Sequence, residues 1–283
     1  MSIFVRSSLL LLLSLTACSR WQAGTVASGT DQGAIIGGQP AVASDAVRGA
    51  TVSLMRVLPN QTVLTFCTGV LISKNLVVTA AHCVEPMMNE VFYVFFGEVL
   101  PTLVNQNNLV PVGGIYYHDE YRLIPIKRNR YITSINDIAL IRLGADAPEG
   151  FNPVSILADT DALQPGTGLL LAGYGVVNEA TNKRTLTLNY VRVPLFKLDG
   201  DYLIADQTQG QGACFGDSGG PAFIETANGL VVVAETHEAY DGATDCHHYG
   251  EFTLISKFRS FIDKTVPKLH GDPPTYIESR DLN

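Results

Sequence analysis

No long basic run interrupts this sequence, and its formal net charge is −8. A nucleic-acid partner is thereby disfavoured, because such partners are held by clustered Lys and Arg. The leucine-rich stretch Leu9–Leu15 falls well short of the ~20 apolar residues that cross a bilayer as a helix. No CxxC pair and no Cys/His spacing of the zinc type occurs, so neither a metal nor another cofactor is expected. No internal repeat of fixed period appears. Charged residues are scarce, 16% against 46% hydrophobic, which argues against bulk disorder. What is abundant is glycine and proline, 26 and 14 residues, set between short apolar runs. That composition suits one large β-rich domain or two small ones.

The first residues read as an export signal, not as part of the fold. Arg6 lies in a short basic start, Leu9–Leu15 is the apolar centre, and Leu15-Thr16-Ala17-Cys18 follows. The last four resemble the lipobox of bacterial lipoproteins, whose cysteine becomes the lipidated first residue. Ordinary cleavage that discards Cys18 is the alternative. Residues 1–17 are thus read as a signal peptide and 18–34 as a lipidated tether or propeptide. The latter is rich in Gly, Ser, Thr, Ala and Gln, with almost nothing to bury. Setting Cys18 aside leaves Cys67, Cys83, Cys214 and Cys246. In an exported chain these suggest two disulfides, with three possible connectivities.

At Ile35-Ile36-Gly37-Gly38 the character changes. From there to about Thr253, short β-branched and aromatic runs alternate with turn signals. Examples are Ala50–Val57, Val63–Ile72, Ile138–Leu143, Leu169–Ala172 and Leu230–Ala234. Many short strands separated by Gly, Pro and Asn predict an all-β barrel or sandwich. Phe258, Phe261 and Ile262 have helical spacing within Lys257–Thr265, and Pro267 follows. Residues 35–267 are read as the folded domain. The polar tail at 268–283, with Pro273-Pro274, is expected to be loosely ordered.

Chemistry concentrates in Cys214-Phe215-Gly216-Asp217-Ser218-Gly219-Gly220-Pro221. A serine flanked by glycines reads as a nucleophile on a tight turn, its hydroxyl uncovered. The Gly216 and Ser218 N–H groups could converge on a developing oxyanion. Such a serine needs a base and an orienting acid. Thr79-Ala80-Ala81-His82-Cys83 supplies a histidine after an apolar strand, and Asn136-Asp137-Ile138-Ala139-Leu140 an aspartate at a strand mouth. The order His82, Asp137, Ser218 is that of chymotrypsin-type enzymes; α/β-hydrolases and subtilisins use other orders.

Over roughly residues 35–265 the chain resembles the trypsin/chymotrypsin family of serine endopeptidases. The motifs are Ile35–Gly38, Thr79–Cys83, Asp137–Leu140, Gly173-Tyr174-Gly175 and Gly216–Pro221. The resemblance implies an all-β fold, a pair of six-stranded antiparallel β-barrels with a closing C-terminal helix and the site between them. It implies Ser218 as nucleophile, His82 as general base and acid, and Asp137 as the group that orients His82. It further implies the pairings Cys67–Cys83 and Cys214–Cys246. It also implies a zymogen, in which cleavage at Ala34–Ile35 frees an α-amino group that pairs with Asp217. Protein or peptide would be the substrate, the chain a monomer, and membrane contact only through the anchor at Cys18. Exported, it would be a membrane lipoprotein, secreted after activation, or both.

The substrate pocket departs from the family pattern. By the resemblance Gly212 stands at its floor, with Ala213 beside it, where trypsin-type enzymes carry aspartate. On the opposite wall the register between Thr236 and His237 is open. Thr236 would supply a hydroxyl to Asp137, or His237 would line the pocket. His237, with His247 and His248, would favour an acidic side chain; Glu235, Glu238 or Glu251 would favour a basic one. A small or apolar preference is the first choice, and it would permit self-cleavage after Ala34. The calcium-loop carboxylates of some relatives are missing after Glu98, so calcium is not expected. Two other functions compete with the endopeptidase: a non-enzymatic protease-like lipoprotein that binds a partner, and an esterase using the same triad on another fold.

Overall fold

Twelve strands built from the apolar runs form two barrels with one topology. The first uses β1 (Thr51–Val57), β2 (Val63–Ser73), β3 (Leu76–Thr79), β4 (Phe92–Phe95), β5 (Leu109–Tyr117) and β6 (Ala139–Leu143). They pair antiparallel in the order β1-β2-β3-β6-β5-β4, and β4 returns to β1. The second uses β7 (Gly168–Gly173), β8 (Asn189–Asp199), β9 (Tyr202–Asp206), β10 (Pro221–Thr226), β11 (Gly229–Ala239) and β12 (Tyr249–Leu254). Their order is β7-β8-β9-β12-β11-β10, and β10 closes on β7. Closure pairs the strand edges that an open sheet would leave free. This computed structural model describes residues 35–104, 108–126 and 131–282. The expected signal peptide and tether, with Cys18 and Ala34, lie outside the described residues, as does Lys127-Arg128-Asn129-Arg130. Among the described residues, no helix is long and apolar enough to cross a membrane.

Alternating strand residues fill each barrel. Leu54, Leu71, Val77, Val94 and Ile141 pack in the first; Leu169, Leu171, Leu203, Val233 and Phe252 pack in the second. A third cluster, including Val70, Val78, Leu140, Leu170, Phe223 and Val232, draws residues from both. Each such side chain contributes about 1.5–3 kcal/mol of apolar burial. The shared cluster therefore holds the barrels side by side. Tyr174, fully buried in it, donates its hydroxyl to the Gly97 carbonyl at 2.7 Å.

One segment differs from the sequence expectation. The tail is docked: Tyr276–Ile277 pairs in parallel with Ser155–Leu157, which itself pairs with β11. Ile277 and Leu282 pack on the second barrel core. Ser279 bonds Asp159 through its N–H and its hydroxyl. A few apolar anchors outweigh the tail's polar composition. The stretch after Tyr121 forms an antiparallel hairpin, Arg122–Ile126 with Tyr131–Ile135. That hairpin delivers Ser134 to the site. Cys67 is bonded to Cys83, and Cys214 to Cys246.

Candidate active site

His82 sits on a single helical turn, Ala81–Val84, directly after β3. The Cys67–Cys83 bridge ties that turn to β2. Asp137 follows a turn in which Asn136 takes φ +53, a conformation asparagine tolerates. The two side chains meet: His82 Nδ1 lies 2.6 Å from Asp137 Oδ2, and the His82 N–H donates to Oδ1 at 2.8 Å. Asp137 is completely buried, whereas His82 keeps about a third of its side chain exposed. Burial pushes the Asp137 carboxyl up, but the His82 charge and hydrogen bond, with the His237 charge, outweigh it and hold it down at about 2.

The serine loop is latched to the first barrel through its backbone. The Ser218 carbonyl accepts the Thr68 N–H at 2.9 Å and lies 3.7 Å from Cys83 Sγ, next in sequence to His82. The Thr68 hydroxyl donates to the Gly216 carbonyl, and the Thr79 hydroxyl to the Thr68 carbonyl. Within the loop, Asp217, Gly219 and Gly220 donate their N–H groups to the carbonyls of Cys214, Thr236 and Asp217. Among the described residues, none takes up the N–H of Gly216 or Ser218. Ser218 itself is half-buried.

Asp217 turns the other way and is fully buried, accepting N–H groups from Gly175 at 2.8 Å and Cys214 at 2.9 Å. Burial drives its carboxyl up to about 7, against the pull of those bonds and of Arg184. Among the described residues no cation forms an ion pair with it. Ile35 is also fully buried, with φ +69, while Ile36 exchanges two 3.0 Å backbone bonds with Gly212.

Ala213, Ser218, Thr236 and His237 line one cavity, with Gln207, Phe215 and Glu238. Gly212 does not line it; a Cβ there would stand 2.2 Å from the Gln207 side chain. The Gln207 carboxamide is locked, donating to the carbonyls of Ala213 and Cys246 and accepting the Ala213 N–H. The Thr236 hydroxyl donates to the Gly220 carbonyl, so it is not the support of Asp137. That hydroxyl belongs to Ser134, 3.0 Å from Asp137 Oδ2. His237 does both things at once: it lines the cavity and its Nε2 lies 3.3 Å from Asp137 Oδ2. Nothing near Ser134 in sequence marks it, because its partner contacts are made by the hairpin.

His247 and His248 are exposed and paired with Glu179 and Asp245. Glu235 and Glu251 are not among the cavity-lining residues, which leaves Glu238 at the wall. Three groups of described residues bring possible metal-ligand atoms within 4.8 Å of one another. Two of these contain bridged cysteines, which have no thiolate to offer. The third, His237, Glu238 and Glu251, directs its polar atoms to one another, Thr133 and Ser134.

The family model for trypsin matches residues 35–262. The chain belongs to the trypsin family. It is 29% identical over 228 residues to trypsin of Sarcophaga bullata, covering 75% of this chain and 83% of that protein. It is 26% identical over 224 residues to the venom peptide isomerase heavy chain of Agelenopsis aperta, covering 71% and 87%. A third relative is vitamin K-dependent protein C of Oryctolagus cuniculus, 26% identical over 230 residues, covering 73% and 48%. This trypsin-family protein is a serine endopeptidase, with protein or peptide as its substrate.

Proposed function

We propose that this endopeptidase works through Ser218, His82 and Asp137 and an acyl-enzyme. The observation that carries the reading is the buried Asp137 carboxylate bonded to His82, with the Ser218 backbone latched beside that histidine's own turn. Asp137 accepts a hydrogen bond from the His82 Nδ1–H, which leaves the Nε2 lone pair free to take the proton of Ser218. The Ser218 oxygen then adds to the scissile carbonyl. The unclaimed N–H groups of Gly216 and Ser218 stabilise the oxyanion, a term of about 3–4 kcal/mol for each donor removed. His82 passes the proton to the leaving amine, and water deacylates the serine by the same path. The neutral Gln207 carboxamide and Ala213 support a small or apolar residue before the scissile bond.

Cleavage at Ala34–Ile35 is the activating step in this reading. Among the described residues no cation forms an ion pair with buried Asp217, and a freed α-amino group on Ile35 would supply one. Cutting also removes the peptide bond that defines the strained φ of Ile35. Both bridges lie after residue 35, so the cut would release the domain from an anchor at Cys18. Export itself is supported by the leader and by the two bridges, which persist in oxidising compartments.

A fluorophosphonate probe should label the active enzyme at Ser218, and Ser218→Ala should abolish labelling and lower kcat by at least ~10⁴-fold. Labelling that survives this substitution excludes Ser218 as nucleophile. The active form free of membranes should begin at Ile35. A different start, or an active cut form retained in salt-washed membranes, sinks the activation scheme.

A further inference from the structure

Behind Asp137 lies a second histidine with no part in the mechanism above. The His237 side chain is 1% exposed. Its Nδ1 lies 3.0 Å from Glu251 Oε1, and its Nε2 lies 2.8 Å from Ser134 Oγ and 3.3 Å from Asp137 Oδ2. Tyr202 of β9 stacks flat on the ring, centroids 5.4 Å apart. Glu238, on the same strand, is held by the Thr133 hydroxyl from the hairpin. Glu235, two residues earlier, is buried with no hydrogen bond to either oxygen.

Hydrogen-bond accounting favours a doubly protonated ring. Ionised carboxylates only accept. A neutral His237 that donates from Nδ1 to Glu251 would turn the Nε2 lone pair toward Asp137. The Ser134 hydroxyl would then have to choose between that lone pair and the Asp137 carboxylate. A doubly protonated ring donates from both nitrogens and leaves the Ser134 proton for Asp137 Oδ2. Electrostatics agree: burial alone would lower the His237 value, but the Glu251 hydrogen bond and the charges of Asp137, Glu238 and Glu251 reverse it and raise it. Glu235 is pushed well above the usual carboxylate range, by burial first and then by the Asp137 charge. Glu238 is also raised, chiefly by burial.

We propose that His237 is a positioning residue of this endopeptidase, an imidazolium that clamps Asp137 from behind and balances the acids packed around it. The proposal rests on the triad reading. Asp137 is then shared between two rings, His82 in front and His237 behind. A fixed positive charge behind the carboxylate weakens its stabilisation of a protonated His82. The enzyme therefore keeps activity at lower pH than it would with an undivided aspartate. Removing that charge raises the pH at which activity appears.

The test is the pH profile of kcat/KM and of fluorophosphonate labelling for the cut wild type, His237→Asn and Glu251→Gln. His237→Asn should move the acid limb up by about one pH unit, a roughly tenfold loss on the limb itself. Glu251→Gln takes away the partner that keeps the ring protonated, and should add an inflection within the working range. A role in packing alone would lower rates at every pH and leave both limbs in place; that result overturns the proposal. If His237→Asn does not fold, ¹⁵N spectra of the histidines in the full-length Ser218→Ala protein decide. Protons on both His237 nitrogens at pH 7.5 support the clamp, and a single one overturns it. Failure of wild type to label at Ser218 would instead refute the triad.

Discussion

Gly219 is the residue on which the union of the two barrels at the site depends. With φ +76, it brings its backbone against the other barrel, where a Cβ would stand 2.0 Å from Thr79 Oγ1 and 2.6 Å from the Thr68 carbonyl. Those two groups bond each other, and Thr68 in turn holds the Ser218 segment beside His82 through its N–H and its hydroxyl. Gly219→Ala should therefore cost at least ~2 kcal/mol in denaturant unfolding and most of kcat. Unchanged stability would show that the serine loop is not clamped between barrels. The motifs that carry His82, Asp137 and Ser218 stand out in the sequence because each is short and its neighbours are fixed by backbone geometry. Ser134 does not stand out, since it reaches Asp137 through a hairpin, and the placing of Glu251 against His237 depends on cross-strand register. The choice between Thr236 and His237 was open for the same reason. A slip of one residue reverses which side chain faces in, and β11 and β12 shift register between Thr236 and Glu238.

Among the elements, the strands were readable from alternation and turn residues, while the tail was not. Its composition is polar, and the signal that docks it is only three partly buried apolar residues, Tyr276, Ile277 and Leu282. They matter because the strand they build extends the sheet beside β11, the strand that carries Thr236, His237 and Glu238. The Arg259 guanidinium also lies over the Tyr276 ring at 4.2 Å, fastening the tail to the C-terminal helix. Truncation after Asp272 should lower Tm by several degrees, given about 2–4 °C per kcal/mol in a chain of this size. Activity at low temperature should survive, since no tail residue lines the cavity. A truncated protein with the parental Tm would mean that the tail merely rests on the surface.

For the molecule as a whole, both barrels run their strands in one order, although no sequence repeat announces it. The shared information is a pattern of burial, which tolerates complete change of residue identity. At Asp217 the proposed activation becomes a question of stability and pH. In the uncut chain its carboxyl titrates near 7 when folded, against 3.8 as the ordinary value. A raised carboxyl means that the folded state binds the proton more tightly than the unfolded one. Stability is thus fully present below about pH 4 and is lost as pH climbs through 7, by roughly 4 kcal/mol. An ammonium at Ile35 would cancel that loss by pairing with the ionised carboxylate. The Tm of the cut form should therefore exceed that of the precursor by little at pH 4 and by much more at pH 8. Asp217→Asn should flatten the precursor's pH dependence and leave the cut form with little activity. Equal Tm differences at both pH values would separate Asp217 from activation, whatever the chain's first residue proves to be.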